Sequence, residues 1–103
     1  MTVRRIAAYV PDLMDRSKFA ALAAEVRFVS RPEDLVGLDA DLVVLDLSRA
    51  GVLDVVGSLD AARVIGFGSH VEREVLDAAR AAGCDEVLAR SKFFGRLAEL
   101  LGT

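Results

Sequence analysis

The side chains that could do chemistry in this chain are few and mostly acidic. Asp12 follows a short apolar run and Pro11, Asp15 comes three residues later, and Asp46 closes the apolar run Leu42-Val43-Val44-Leu45, with Ser48 just beyond it. Carboxylates ligate hard cations, but they also cap helices and end buried strands. For Asp12 and Asp15 capping accounts for the spacing, because an acid at the cap and another in the first turn both favour the positive end of a helix. Gly66-Phe67-Gly68-Ser69 precedes a helical pattern and could turn backbone N–H groups toward an anion. Neither glycine fingerprint of nucleotide binding is present, and glycines at this spacing also serve tight turns and close packing. His70 is the only histidine and Cys84 the only cysteine. A metal site needs more N or S ligands than that, no Ser-His-Asp or Cys-His set can be placed by spacing, and Cys84 reads as a small apolar filler.

The elements that must position these groups alternate between short apolar runs and helical patterns, the signature of βα units. Residues 5–10 read as a buried first strand, which Pro11 stops for want of an N–H donor. Asp12 opens a helix with Phe19, Leu22 and Ala23 on one face, and residues 26–29 form a second, edge strand. Ser30 and Glu33 have capping-box spacing before a very short helix ended near Gly37. Residues 41–46 are the clearest strand, 51–59 a weak helix and 62–67 the fourth strand. A second capping box, Ser69 to Glu72, opens a stronger helix with Val71, Val75, Leu76, Ala78, Ala79 and Ala82 inward, closed by Gly83. Residues 85–89 make the fifth strand, and Ser91 caps a last helix carrying Phe93, Phe94, Leu97, Leu100 and Leu101. Such connections are right-handed and give a doubly wound open sheet, with ligands at the carboxyl ends of its strands. That places the candidate site at Asp12, Asp46, Ser48, residues 66–70 and Arg90-Ser91.

Bulk properties narrow the function classes. The 103 residues suit one domain spanning 1–103, and 53% hydrophobic with 28% charged residues excludes a disordered chain. A mean hydropathy of +0.39 fits strands buried on both faces. No apolar run approaches the ~18 residues of a membrane span, and the first apolar run is too short for a secretory signal, so a cytoplasmic protein is expected. Sixteen acids against thirteen bases, interspersed, leave a net charge of −3 and no basic stripe for nucleic acid.

Two stretches resemble the receiver domain of bacterial two-component response regulators. Residues 41–47 are similar to the third strand of that family, which ends in the phosphoacceptor aspartate; residues 74–93, with Ala81-Ala82-Gly83-Cys84-Asp85-Glu86-Val87-Leu88 at their centre, resemble its fourth helix and fifth strand. The resemblance implies an α/β, flavodoxin-like (CheY-like) fold, a five-stranded parallel sheet of order 2-1-3-4-5 with helices on both faces. It places Asp46 at the acceptor, whose chemistry is in-line attack on a phosphoryl donor with Mg²⁺ neutralising the oxygens. Asp12, Asp46 and the Ser48 carbonyl stand where the family holds that Mg²⁺. The departures are consistent: Pro11 replaces the second acid, Gly68 takes the switch Ser/Thr position with Ser69 one residue late, and Arg90 replaces the lysine, followed by Ser91 where proline is usual. Arg keeps the charge but offers a planar fork in place of a compact ammonium.

These departures predict a pseudo-receiver: a stand-alone signalling module, not an enzyme, needing no cofactor or phosphorylation and acting through another protein or as a homodimer. The surface expected to serve is the one around the fourth helix, fifth strand and last helix, with Phe93 or Phe94 exposed on it. The alternatives are a minimal phosphoacceptor regulator that is phosphorylated on Asp46 with Mg²⁺, and a domain binding a small phosphate-containing ligand at the strand ends.

Overall fold

The computed structural model describes residues 5–22, 25–69 and 73–102. Five strands, β1 (Ile6–Tyr9), β2 (Val26–Phe28), β3 (Ala40–Asp46), β4 (Ala61–Gly68) and β5 (Glu86–Ala89), pair in parallel in the order β2-β1-β3-β4-β5. The helices are α1 (Leu13–Ala20), α2 (Val52–Val55), α3 (Arg73–Ala82), α4 (Arg90–Gly95) and α5 (Leu97–Leu100), with 3-10 turns at Pro32–Leu35 and Val56–Ser58. The expected flavodoxin-like architecture is therefore present. Among the described residues no helix is long and apolar enough to cross a membrane.

Side-chain alternation explains why the sheet is covered twice. Val43 and Leu45 of β3, with Ala7 and Tyr9 of β1, face a core closed by Leu35, Val52, Val56, Leu76 and Ala79. Leu42 and Val44, with Ile6 and Ala8, face the opposite core, closed by Phe19, Phe93, Leu97 and Leu100. A strand buried on both faces has no polar alternation to show, which is why residues 42–45 are apolar throughout.

Several local expectations change in the folded chain. The turn after Ser30 is 3-10 rather than α; Arg31, not Ser30, holds its cap position, without a side-chain cap bond, and Pro32 supplies the fixed φ that starts it. The last helix is two short helices, because the chain leaves helical geometry at Arg96 (φ −111°, ψ 13°). Ser91 lies inside the first of them, and Ala89 holds the cap position without a side-chain bond. Leu22 sits beyond α1 and is 40% exposed, and Ala78 faces solvent while Leu76 and Ala79 face the core. The Ser69–Glu72 capping box and Ala23 involve positions outside the described residues.

Candidate functional site at the carboxyl rim of the sheet

Parallel register brings the strand ends to one rim. Tyr9 pairs with Leu45, Asp46 with Phe67 and Gly68 with Ala89, so Asp12, Asp46 and Arg90 emerge on the same edge. Arg49 and Arg90 both exert their field on Asp12. Asp12 itself acts as a helix cap. Its Oδ1 accepts from the Met14 N–H at 2.8 Å and the Asp15 N–H at 3.1 Å, satisfying two donors that the first turn of α1 leaves open. The Asp15 N–H bond, more than any other influence, holds the Asp12 carboxyl below its ordinary pKa of 3.8.

Where the resemblance puts a second acid, Pro11 ends β1. The Val10 carbonyl that follows from this break accepts from Arg16 Nε at 2.7 Å, and the Arg16 guanidinium lies 5.1 Å from the Phe28 ring centre.

The carboxylate that the rim does bury is Asp15, with 2% of its side chain exposed. Its Oδ1 accepts from Arg90 Nη2 across 75 residues of sequence, with Lys18 Nζ 3.8 Å away. Its Oδ2 is buried and has no hydrogen-bond partner among the described residues. The spacing of Asp15 and Phe19 on one turn-and-a-bit of α1 forces this burial: both face the sheet, and both are in the core. Sequence reading assigned Asp15 to capping; the signal for its burial was its place four residues before a core phenylalanine.

All five phenylalanines of the chain gather under this pair. Phe67 and Phe93 stack at 4.5 Å, and Phe19 meets Phe28 edge-on at 5.7 Å. Phe94 is half-buried between two cations, with Lys18 Nζ at 4.4 Å and Arg90 Cζ at 5.1 Å from its ring centre. Phe93 is wholly buried, so it presents nothing to a partner, and Phe94 packs toward α1 and Phe19 rather than outward. The expectation that one of them stands exposed is corrected: both rings gather at Phe19, with ring centres 6.0 Å (Phe93) and 6.3 Å (Phe94) from it.

Asp46 ends β3 with its side chain 4% exposed. Oδ1 accepts from the Ser48 N–H at 3.0 Å and the Ser48 hydroxyl at 2.6 Å, and Oδ2 faces Arg49 Nε at 3.7 Å. Ser48 thus holds Asp46 through its donors. Gly66 and Gly68 lie within β4 rather than in a loop. A Cβ on Gly66 would come within 2.8 Å of Leu47 Cδ1, and one on Gly68 within 3.3 Å of Leu76 Cδ2, so the two glycines admit side chains of the neighbouring segments. Ser69 follows directly after β4, half-buried, and His70 lies outside the described residues. Cys84 is buried, and that burial pushes its thiol up to about 11, so it is inert at neutral pH.

Mg²⁺ requires several hard oxygens free to converge. Here Asp12 Oδ1 is spent on helix N–H groups, Asp46 Oδ1 on Ser48, and the remaining Asp46 oxygen faces a guanidinium. No cluster of three or more acidic, His or Cys side chains suited to a metal occurs among the described residues. The donor set does not fit this cation.

The fold has close counterparts among solved structures. The chain superposes on a response regulator from Hahella chejuensis with a TM-score of 0.78 at 16% identity, covering 95% of this chain and 92% of that one. The phosphorylated cyanobacterial phytochrome response regulator RcpA gives 0.76 at 13% identity, with 98% and 90% covered. A response regulator from Thermotoga maritima gives 0.69 at 10% identity over both full lengths. At these identities the likeness is one of fold, that of the receiver domain. No protein-family model and no curated protein sequence matches the chain.

Proposed function

We propose that this receiver-like domain is a signalling module that works without phosphorylation, by docking another protein, and that an internal carboxylate does what a phosphoryl group does in a responsive receiver. One observation carries the reading: Arg90, at the position of the family's lysine, is already held by the buried carboxylate of Asp15. Drawing that guanidinium away to a phosphoryl on Asp46 would strip Asp15 of its nearest counter-charge. Breaking a buried pair on one side costs about 3–5 kcal/mol. The engaged oxygens of Asp46 and the poor fit to Mg²⁺ support the same conclusion.

The test is direct. Incubation with acetyl phosphate and Mg²⁺, followed by Phos-tag electrophoresis, is expected to leave the wild-type chain in a single unshifted band. A retarded species that disappears in Asp46→Asn would show a working phosphoacceptor and end this reading in favour of the minimal regulator.

A further inference from the structure

We propose that the break between α4 and α5 is maintained by an ionic latch from the sheet, Glu86 to Arg96, and that releasing this latch lets residues 90–100 join as one helix. The device involves neither Asp46 nor its phosphorylation.

The usual causes of a helix break are missing at this place. The two prolines of the chain are Pro11 and Pro32. Gly95, just before the break, does not take the left-handed conformation by which a glycine ends a helix. Packing does not demand a break either. Phe93, Leu97, Leu100 and Leu101 are buried in one core, and their spacing is that of a single apolar stripe along a continuous helix. Helical pairing also runs up to Arg96 and on from it. The Arg96 N–H donates to the Lys92 carbonyl at 3.1 Å, and the Arg96 carbonyl accepts from the Leu100 N–H at 2.9 Å. Only the dihedral angles of Arg96 itself leave helical geometry (φ −111°, ψ 13°).

What distinguishes this residue is its side chain. Nη1 donates to Glu86 Oε2 on β5 at 3.0 Å, and Nε donates to Glu99 Oε2 at 2.9 Å. The other Glu86 oxygen accepts from Arg63 of β4, which fixes the carboxylate on the sheet. The two contacts of Arg96 are not equivalent. Glu99 lies three residues on, a spacing that a continuous helix keeps within reach. Glu86 belongs to the sheet, so its bond ties the break to β5. The side chains of Arg63, Arg96 and Glu99 are 51%, 43% and 70% exposed, against 23% for Glu86. Water can therefore solvate the released charges, and salt weakens the latch. Arg90 opens α4, so a helix of six residues carries any change at the break to the Asp15–Arg90 pair.

The experiment follows the Cα shifts of residues 95–97 by NMR in the full chain. Arg96→Met and Glu86→Met are both expected to move these shifts to helical values and to slow hydrogen exchange at the Leu97 amide. Arginine and methionine have similar helix propensity, so the first change reports the lost ion pairs. Glu99→Met, which cuts the contact a straight helix would retain, should leave residues 95–97 as in the wild type. In the wild type, raising sodium chloride from about 10 mM to about 1 M shortens the screening length from roughly 30 Å to about 3 Å. The same shifts should then move in the helical direction, and Arg96→Met should not respond. Circular dichroism checks that each variant folds; if one does not, the salt titration of the wild type decides. Unchanged or random-coil shifts in Arg96→Met and Glu86→Met, joining of the helices in Glu99→Met, or a wild type indifferent to salt would each overturn the proposal. Phos-tag labelling of Asp46 would alter none of these readouts, so the latch and the phosphorylation-independent reading fail separately.

Discussion

The two members of the Asp15–Arg90 pair are not equivalent. Asp15 is 2% exposed in its side chain and Arg90 45%. Removing the arginine leaves a carboxylate in the core with one unpartnered oxygen and only Lys18, 3.8 Å off, as compensation. Removing the aspartate leaves a guanidinium that water can solvate. Arg90→Met is therefore expected to lose about 3 kcal/mol, toward the lower end for a broken buried pair. Asp15→Leu should lose less than Arg90→Met, since an apolar side chain with the same branched skeleton removes the unsatisfied oxygen, partly offset by its larger volume in the core. The double variant should recover most of the loss of Arg90→Met. Urea denaturation of the three variants measures this, and equal losses for the two single substitutions would mean that the burial of Asp15 contributes nothing special.

At the scale of elements, α1 depends on Asp12. Its carboxyl titrates below 3.8 in the folded chain because the helix N–H groups favour the ionised form. The linked stability is therefore complete above the unfolded value of 3.8 and is lost as pH falls through the lower folded value. Between pH 5 and pH 3 the thermal midpoint of the wild type should fall more steeply than that of Asp12→Ala, which lacks the cap at every pH; parallel curves would contradict this. The elements also show what could be read from the chain. Strand β3 and the order of units were legible because apolar runs and their breaks are local, as was the Asp12 cap. The rest was not, because it depends on distant partners. Nothing near Asp15 in sequence announces Arg90. Nothing near Ser91 says that β5 runs directly into α4, which puts Ala89 at the cap position and Ser91 inside the helix. The glycines at 66 and 68 were read as a turn and an anion cradle or as a packing device; only Leu47 and Leu76, placed by the fold, decide for packing.

For the whole molecule, the Asp15–Arg90 pair joins α1 to α4 at the carboxyl rim of the sheet. Strand β3 lies between β1 and β4, covered on both faces by the two cores, and has no comparable dependence on the pair. Helix α4 is six residues long, too short to persist on its own helical propensity, so packing and the rim pair must hold it. Severing the pair should thus loosen α4 locally before it unfolds the domain. In Arg90→Met, hydrogen exchange at the amides of residues 94–96 is expected to rise beyond the change in global stability, while exchange at 42–45 follows global unfolding alone. If α4 exchanges in step with β3, the rim pair is a stability element only and does not hold α4 locally.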